Sequence, residues 1–379
     1  MNKRHKWIWK TFLPAVRLFC KCNLNYHFEV AKNLPEQYIV LSNHTTDYDP
    51  VLVACSFPKQ MYYVASEHIT RWKHGYKALH WALEPITRYK GKNAAATVMS
   101  ILRKIKQGEN ICMFAEGARS WDGRTCPIDP ATAKLVKAAK CALVIYHMHG
   151  GYFSSPLWSK SLRRGRIEGR VTHVYSAEEI AKMTEEELLA VIRDGLAEDA
   201  YAWQREKRIR YKGKNLAEGL ENLLFICPHC GAYHSLHSKK DTVTCVACQK
   251  SFTYDEYGML HGAPMQTLTE CCDWQREKIA EDVKANTPYV AEAELYSVEK
   301  HESTLLERGN LILSREGVQL GNVYCPMDSI SDFAMHGSHA LVFQADKTYY
   351  EALIPKTDNA VRFFWYYWAY QAEKKKENT

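Results

Sequence analysis

Four short apolar runs alternate with helix-like segments over residues 38–148, and this alternation limits the fold more than any other feature of the chain. The runs are Tyr38–Ser42, Met61–Ala65, Asn110–Phe114 and Ala142–Met148. The helix-like segments between them are Pro50–Cys55, Ala94–Lys106 and Ala131–Lys140. Apolar strands separated by helices predict an α/β domain, a mixed sheet flanked by helices on both faces. Ligands of such sheets bind beyond the carboxyl ends of the strands.

A histidine and an aspartate follow the first apolar run, in the segment NHTTDYD (residues 43–49). Histidine is the natural general base near neutral pH, and an adjacent carboxylate orients its ring and stabilises the imidazolium. A turn of this length can fold Asp49 back onto His44, and no serine or cysteine nucleophile is evident beside them. The pattern predicts direct attack by a substrate hydroxyl on an acyl group. A plain helix N-cap before Pro50 is the alternative role for Asp49.

The third apolar run leads into FAEGARS (residues 114–120), which has the residues of a phosphate site. Gly117 permits close backbone approach, and Arg119 can contact a phosphate with two hydrogen bonds. Glu116 could pair with Arg119 or hydrogen-bond a glycerol hydroxyl. Arg88 is a second candidate phosphate ligand. The alternative is a strand-end turn with a surface ion pair.

The two segments together resemble the glycerolipid acyltransferases, the group that includes lysophosphatidic acid acyltransferase. NHTTDYD is similar to their NHxSxxD motif, FAEGARS is similar to their FPEGTRS motif, and Arg88 falls where the family has an arginine between the two. The resemblance covers roughly residues 25–175 and implies that His44 is the base and Asp49 its partner. It also implies that the acceptor's phosphate is held by Arg88, Glu116, Gly117 and Arg119.

The reaction that the resemblance implies is transfer of a fatty acyl group from acyl-CoA or acyl carrier protein to a lysophospholipid hydroxyl. An acceptor such as 1-acylglycerol 3-phosphate would give phosphatidic acid. The chain departs from the family motifs at Ala115 and Ala118, which stand where the family has proline and threonine. These departures leave open the acceptor and an alternative function, a catalytically silent lipid- or protein-binding regulator on the same fold.

Two CxxC segments predict a structural zinc site in the second half of the chain. Cys227 and Cys230 form the first, Cys245 and Cys248 the second, and fourteen residues separate Cys230 from Cys245. Four thiolates complete a tetrahedral site with no open position, so the zinc is predicted to be structural. Scattered buried thiols and a labile disulfide pair are the alternatives. Charges around the cysteines are balanced, so nucleic-acid binding is not expected.

The sequence predicts four regions. Residues 1–222 are expected to be an acyltransferase domain with an N-terminal amphipathic helix, and 223–262 a zinc ribbon. Residues 263–288 are expected to be a helical linker. Several short strands and a final helix over 289–379 resemble a PH-like (GRAM-like) domain in topology alone.

The N-terminal segment is basic and aromatic. Residues 1–28 carry no acidic residue and the basic residues Lys3, Arg4, Lys6, Lys10, Arg17 and Lys21. A helix here would place on one face Trp9, Phe12, Leu13, Val16, Phe19 and Cys20. No signal peptide or sufficiently long apolar stretch is found, so we expect a cytoplasmic protein, peripheral on the inner face of the membrane. Simple packing of this face on the domain is the alternative, and Pro14 predicts a kink or a second helix.

Overall fold

The first half of the chain forms a mixed β-sheet. The computed structural model describes residues 3–66, 77, 80–81, 83–88, 94–299, 302–336, 339–355, 358 and 360–377. The strands of this sheet are β1 (Tyr26–Phe28), β2 (Tyr38–Ser42), β3 (Met61–Ser66), β4 (Ile86–Arg88), β5 (Asn110–Phe114), β6 (Ala142–His149) and β7 (Ile167–Tyr175). Their order is β1-β7-β6-β2-β5-β3-β4.

Parallel pairing in the middle of this sheet decides where the two polar segments meet. Strands β6, β2, β5, β3 and β4 run parallel, whereas β7 is antiparallel to β6. Strand β2 lies directly beside β5, with Ser42 opposite Phe114. Residues 43–49 and 115–120 therefore leave the sheet side by side at its carboxyl edge.

Helices cover both faces of the sheet, as the alternation predicts. They are α1 (Lys3–Leu24), α2 (Asp49–Ser56), α3 (Ala94–Lys106), α4 (Ala131–Ala139), α5 (Gly151–Ser154), α6 (Ala177–Lys182), α7 (Glu185–Leu196) and α8 (Ala200–Lys207). Because side chains alternate along a strand, Val40 packs in the core beneath α1 and α2, and Ile39 packs in the core beneath α3, α4 and α7. The predicted α/β fold with flanking helices is confirmed.

Helix α1 is one helix with Pro14 inside it, not two. Its predicted apolar face is divided. Trp9, Leu13 and Cys20 pack on the sheet, while Phe12 and Phe19 are exposed. No helix in the described part of the chain is long and apolar enough to span a membrane.

A small antiparallel sheet lies beside the cysteines of the two CxxC segments, of which Cys245 ends one of its strands. Its strands are β8 (Leu236–Lys239), β9 (Thr242–Cys245), β10 (Ser251–Tyr254) and β11 (Leu260–His261), in the order β11-β10-β9-β8. Helix α9 (Leu268–Lys284) follows, where the sequence predicts a helical linker. A short 3-10 helix, Leu220–Asn222, precedes the cysteines.

The last region is an antiparallel sheet that ends in a helix. Its strands are β12 (Tyr289–Glu299), β13 (Glu302–Leu313), β14 (Gly317–Leu320), β15 (Val323–Pro326), β16 (Ile330–His336), β17 (Ala340–Ala345) and β18 (Thr348–Leu353). Their order is β15-β14-β13-β12-β18-β17-β16, and Met327–Ser329 forms a 3-10 turn. Helix α10 (Ala360–Glu377) packs Phe363 and Tyr367 into the core of this sheet. A mainly β region ending in a helix is confirmed, and its PH-like identity stays a prediction.

The hydrophobic cores cross the predicted boundary after residue 222. Tyr152 and Trp158, which follow β6, share one core with Phe252 and Tyr254 of the small sheet. Helix α9 joins this core through Cys271 and joins the C-terminal core through Ile279 and Val283. The segments that follow the first sheet therefore share a core with the small sheet, and α9 links that core to the C-terminal sheet.

Candidate active site

The turn between β2 and α2 holds His44 against Asp49. The distance from His44 Nδ1 to Asp49 Oδ2 is 2.8 Å. The fully buried Asp49 carboxyl group also accepts from the amides of Thr45 (2.6 Å) and Thr46 (2.9 Å) and from the Thr46 hydroxyl (2.7 Å). The Asp49 carboxyl group accepts all of these hydrogen bonds, so we assign the proton of the neutral His44 ring to Nδ1, which donates to Asp49. The Nε2 atom of His44 then keeps a lone pair for a substrate proton.

The His44 ring is fixed in place but remains accessible. It stacks on Phe114, with 4.4 Å between ring centroids, and 21% of its side chain is exposed. Asn43 ties the start of the turn to β6, donating to Met148 O (2.8 Å) and accepting from Met148 N (2.9 Å). This arrangement presents one imidazole nitrogen at the carboxyl edge of the sheet.

Helix α2 begins at Asp49 itself, with Tyr48 at the N-cap and Pro50 in the first turn. The Asp49 carboxyl group therefore bonds to the turn that precedes the helix and does not cap its end. Of the two roles that the sequence allows for Asp49, the observed geometry is that of a partner to His44.

Glu116 connects the two polar segments through backbone amides. Its Oε1 accepts from His44 N and its Oε2 accepts from Cys126 N, each at 2.6 Å. Burial raises the pKa of Glu116 to about 8, although the two amide hydrogen bonds act in the opposite direction. Glu116 therefore does not pair with Arg119, and both of its oxygens already accept an amide, which leaves neither free for a glycerol hydroxyl. Instead, Arg119 Nε lies 3.2 Å from Asp47 Oδ1.

Gly117 lets Arg88 approach the second segment. Gly117 has a φ of +68°, and a Cβ atom there would lie 2.9 Å from Arg88 Nη1. The arginine at the end of β4 thus reaches the turn after β5, two residues from Arg119. Two guanidinium groups and a glycine turn are suited to a phosphate.

Sequence reasoning missed Asp47 and Cys126 at this site. Asp47 lies within the first segment, so its charge was visible, but nothing indicated Arg119 as its partner. Cys126 contributes a backbone amide, which any residue except proline supplies, so the sequence held no signal for it.

One comparison with known proteins matches the segment that contains this site. A family model described as Acyltransferase matches residues 25–147. This segment belongs to the acyltransferase family. The resemblance that the two motifs carry is confirmed over the matched residues, which include His44, Asp49, Arg88, Glu116, Gly117 and Arg119.

The similarity to a solved structure is more distant. The crystal structure of the 1-acyl-sn-glycerophosphate (LPA) acyltransferase PlsC from Thermotoga maritima is 18% identical, with a TM-score of 0.44. That match covers 55% of this chain and 84% of the other. The search of curated proteins finds no match.

The cysteines of the two CxxC segments lie outside the family match, and their sulfur atoms converge on one point. The Sγ atoms of Cys227 and Cys248 are 3.9 Å apart, and those of Cys230 and Cys245 are 3.8 Å apart. A tetrahedral ion with metal–sulfur bonds of about 2.3 Å requires sulfur–sulfur distances of about 3.8 Å. Gly231, with a φ of +73°, follows the first CxxC turn directly. The donor set and its spacing fit zinc.

Proposed function

We propose that this acyltransferase moves a fatty acyl group from acyl-CoA or acyl carrier protein to a hydroxyl of a lysophospholipid such as 1-acylglycerol 3-phosphate, which gives phosphatidic acid. The observation that carries the proposal is the His44–Asp49 hydrogen bond, which leaves Nε2 available beside a turn with two arginines. A base for a hydroxyl and cations for a phosphate are the two groups that such an acceptor needs.

The chemical step follows from this geometry. His44 Nε2 takes the proton of the acceptor hydroxyl while the hydroxyl oxygen attacks the thioester carbonyl carbon. The carbon–sulfur bond then breaks, and the thiolate leaving group takes the proton back from the imidazolium. Asp49 stabilises the imidazolium between the two transfers because its buried carboxyl group contacts Nδ1.

Arg88, Gly117 and Arg119 are proposed to bind the acceptor phosphate. The Nε atom of Arg119 pairs with Asp47. The two terminal nitrogens of Arg119 are therefore the atoms suited to a phosphate. Glu116 is proposed to act on the acceptor indirectly, since its carboxyl group holds the amides of His44 and Cys126.

The test is an acyl-transfer assay with both donors and a panel of lysolipids. We expect His44→Ala and Asp49→Asn to lower kcat by about 10²–10⁴-fold, the usual contribution of acid–base catalysis. His173→Gln, a change on the exposed part of β7, is the matched control. An undiminished rate in His44→Ala would overturn the mechanism. Lipid binding without turnover on any acceptor would favour the silent regulator.

We also propose that Cys227, Cys230, Cys245 and Cys248 hold a structural Zn²⁺. Four thiolates would leave no position for a substrate, so the ion would stabilise the small sheet without entering the reaction. We expect a strong chelator to lower the Tm, and Zn²⁺ to restore it. A Tm that is unchanged by the chelator, together with the absence of zinc in elemental analysis of the protein, would contradict this proposal.

Attachment to the inner face of the membrane from the cytoplasm is proposed to use the exposed side of α1. Trp7, Phe12, Leu18 and Phe19 are 53–64% exposed, next to exposed lysines. Because the other side of α1 is part of the core, the test uses substitutions in place of a deletion. We expect Trp7→Ser with Phe12→Ser to reduce co-sedimentation with anionic vesicles. Trp368→Ser, at an exposed position on α10, is the control. Equal binding by all three proteins would exclude this role of α1.

A further inference from the structure

A second group of metal-type ligands lies at the end of β6. His147 and His149 are two residues apart on this strand, so their side chains point to the same face. Glu198 reaches them from the link between α7 and α8. Like the four cysteines, these three residues place their ligand atoms within 4.8 Å of one another.

One carboxyl oxygen lies between the two imidazoles. Glu198 Oε2 is 2.9 Å from His147 Nε2 and 2.8 Å from His149 Nδ1. The first contact has the geometry of a hydrogen bond, whereas the buried Nδ1 atom of His149 is not aligned for one and has no hydrogen-bond partner among the described residues. A buried polar atom without a partner is costly, and a cation among the three donors would satisfy it.

The surroundings hold these three side chains in place. The Glu198 side chain is 5% exposed, and the ring of Trp203 stacks on His149 at 5.5 Å and 4°. A buried carboxyl group and two imidazoles are a donor set that Zn²⁺ and its first-row neighbours bind in proteins.

We propose that His147 Nε2, His149 Nδ1 and Glu198 Oε2 bind a divalent transition-metal ion of the Zn²⁺ class. Three protein ligands leave a fourth position, and the partial exposure of His147 and His149, 13% and 23%, lets water reach it. The site differs in chemistry from the four thiolates, since it contains nitrogen and oxygen donors without sulfur.

Such an ion would join β6 to a segment that supports the acyltransferase site. The amide of Glu198 donates to Thr125 Oγ1 (2.7 Å), and its carbonyl accepts from Thr125 N (3.2 Å). The next residue, Cys126, donates its amide to Glu116. The metal would therefore act as a positioning element and does not touch the reacting atoms.

Metal content and Co²⁺ absorption of the full chain test the proposal. We expect wild-type protein to bind two equivalents of Co²⁺, one with sulfur-to-metal charge-transfer bands and one with ligand-field bands alone. His147→Gln/His149→Gln and Glu198→Gln should each lose the second kind and keep the first. His173→Gln, one strand away, should keep both.

Two results would overturn the proposal. One is wild-type protein in which every bound Co²⁺ shows thiolate bands, a result that holds even where the variants fail to fold. The other is an unchanged metal content in folded His147→Gln/His149→Gln. Wild-type protein that shows ligand-field bands without thiolate bands would refute the four-cysteine site and still support the site at His147, His149 and Glu198. The two metal proposals can therefore fail separately.

Discussion

Glu116 shows how one side chain can hold a neighbouring turn, the one that contains His44 and Asp49. Its two carboxyl oxygens accept amides that are 82 positions apart in the chain, those of residues 44 and 126. A glutamine has one acceptor oxygen, and its NH₂ group would face one of the two amide donors. The position thus requires a carboxyl group, because both of its oxygens accept an amide.

We expect Glu116→Gln to lower the free energy of unfolding by about 1–3 kcal/mol, the cost of an unsatisfied buried amide, and to slow acyl transfer. Because the folded pKa of about 8 lies above the ordinary value of 4.5, the folded state retains a proton that the unfolded state releases. The stability advantage of the wild type should be largest below pH 4.5 and decline as the pH rises through 8. Denaturant unfolding across this range measures it. Exposed Glu186→Gln is the control, and equal stability of all three proteins would contradict the prediction.

Arg88 and Arg119 should affect phosphate-bearing acceptors selectively. A hydrogen bond to a charged group contributes about 1.5–3 kcal/mol, so Arg119→Ala or Arg88→Ala should lower kcat/KM for 1-acylglycerol 3-phosphate by about 10–100-fold. The kcat/KM for a neutral monoacylglycerol should fall much less. Steady-state kinetics on both acceptors measure the split, with Arg205→Ala on α8 as control. An equal loss on the two acceptors would show that the arginines do not bind the phosphate.

Among the elements, the apolar runs predicted the central strands well and the edge strands poorly. Strands β2 and β5 have the predicted bounds, and β6 extends one residue further, because their side chains are buried on both faces. Strands β1 and β4 have three residues each and no periodicity, and β7 is half exposed. Their positions depend on pairing partners distant in sequence, which local patterns do not report.

The same difference applies to the site. His44, Asp49 and Gly117 were predictable because their chemistry requires those residue types. The amide of Cys126 and the pairing of Asp47 with Arg119 arise from tertiary contacts between loops. His147 and His149 were readable as a strand pair, but their partner Glu198 comes from a charged helical region and carries no comparable signal.

Helix α9 depends on one buried glutamine. Gln275 Oε1 accepts from Phe225 N (2.8 Å) and Ile226 N (3.1 Å), and its Nε2 donates to Leu223 O (3.1 Å). We expect Gln275→Ala to lower the free energy of unfolding by about 1–3 kcal/mol or more, since it leaves buried backbone groups without partners. Exposed Glu277→Ala on the same helix is the control. Thermal unfolding compares them, and a Gln275→Ala protein as stable as the control would contradict this role.

Across the whole molecule, charged groups connect the first half of the chain to α9. The Asp122 carboxyl group, from the loop after the second motif, lies 2.6 Å from Arg276 Nη2 and 3.1 Å from Arg124 Nη2. Burial raises the pKa of Asp122, but the two arginines outweigh it and hold the pKa below the ordinary value of 3.8. The loop and the helix are therefore joined by a buried acid and two partly exposed bases.

We expect Asp122→Asn to lower the free energy of unfolding at pH 7 by about 1–3 kcal/mol, as for hydrogen bonds to charged groups. Because the folded pKa is depressed, this contribution is present above pH 3.8 and is lost as the pH falls through the lower, folded-state pKa. Unfolding of both proteins at pH 7 and pH 3 measures the difference. A gap that stays constant between these values would contradict the assignment.

The aromatic core shared by residues 152–158 and the small sheet bears on whether the first 222 residues can fold alone. A fragment ending at residue 222 would lose Phe252, Tyr254 and Leu260 from this core, and Trp158 would lose its edge contact with Tyr254. Exposed aromatic surface of this kind promotes aggregation. We therefore expect a fragment ending at residue 222 to be less stable than the full chain, because later residues complete one of its cores.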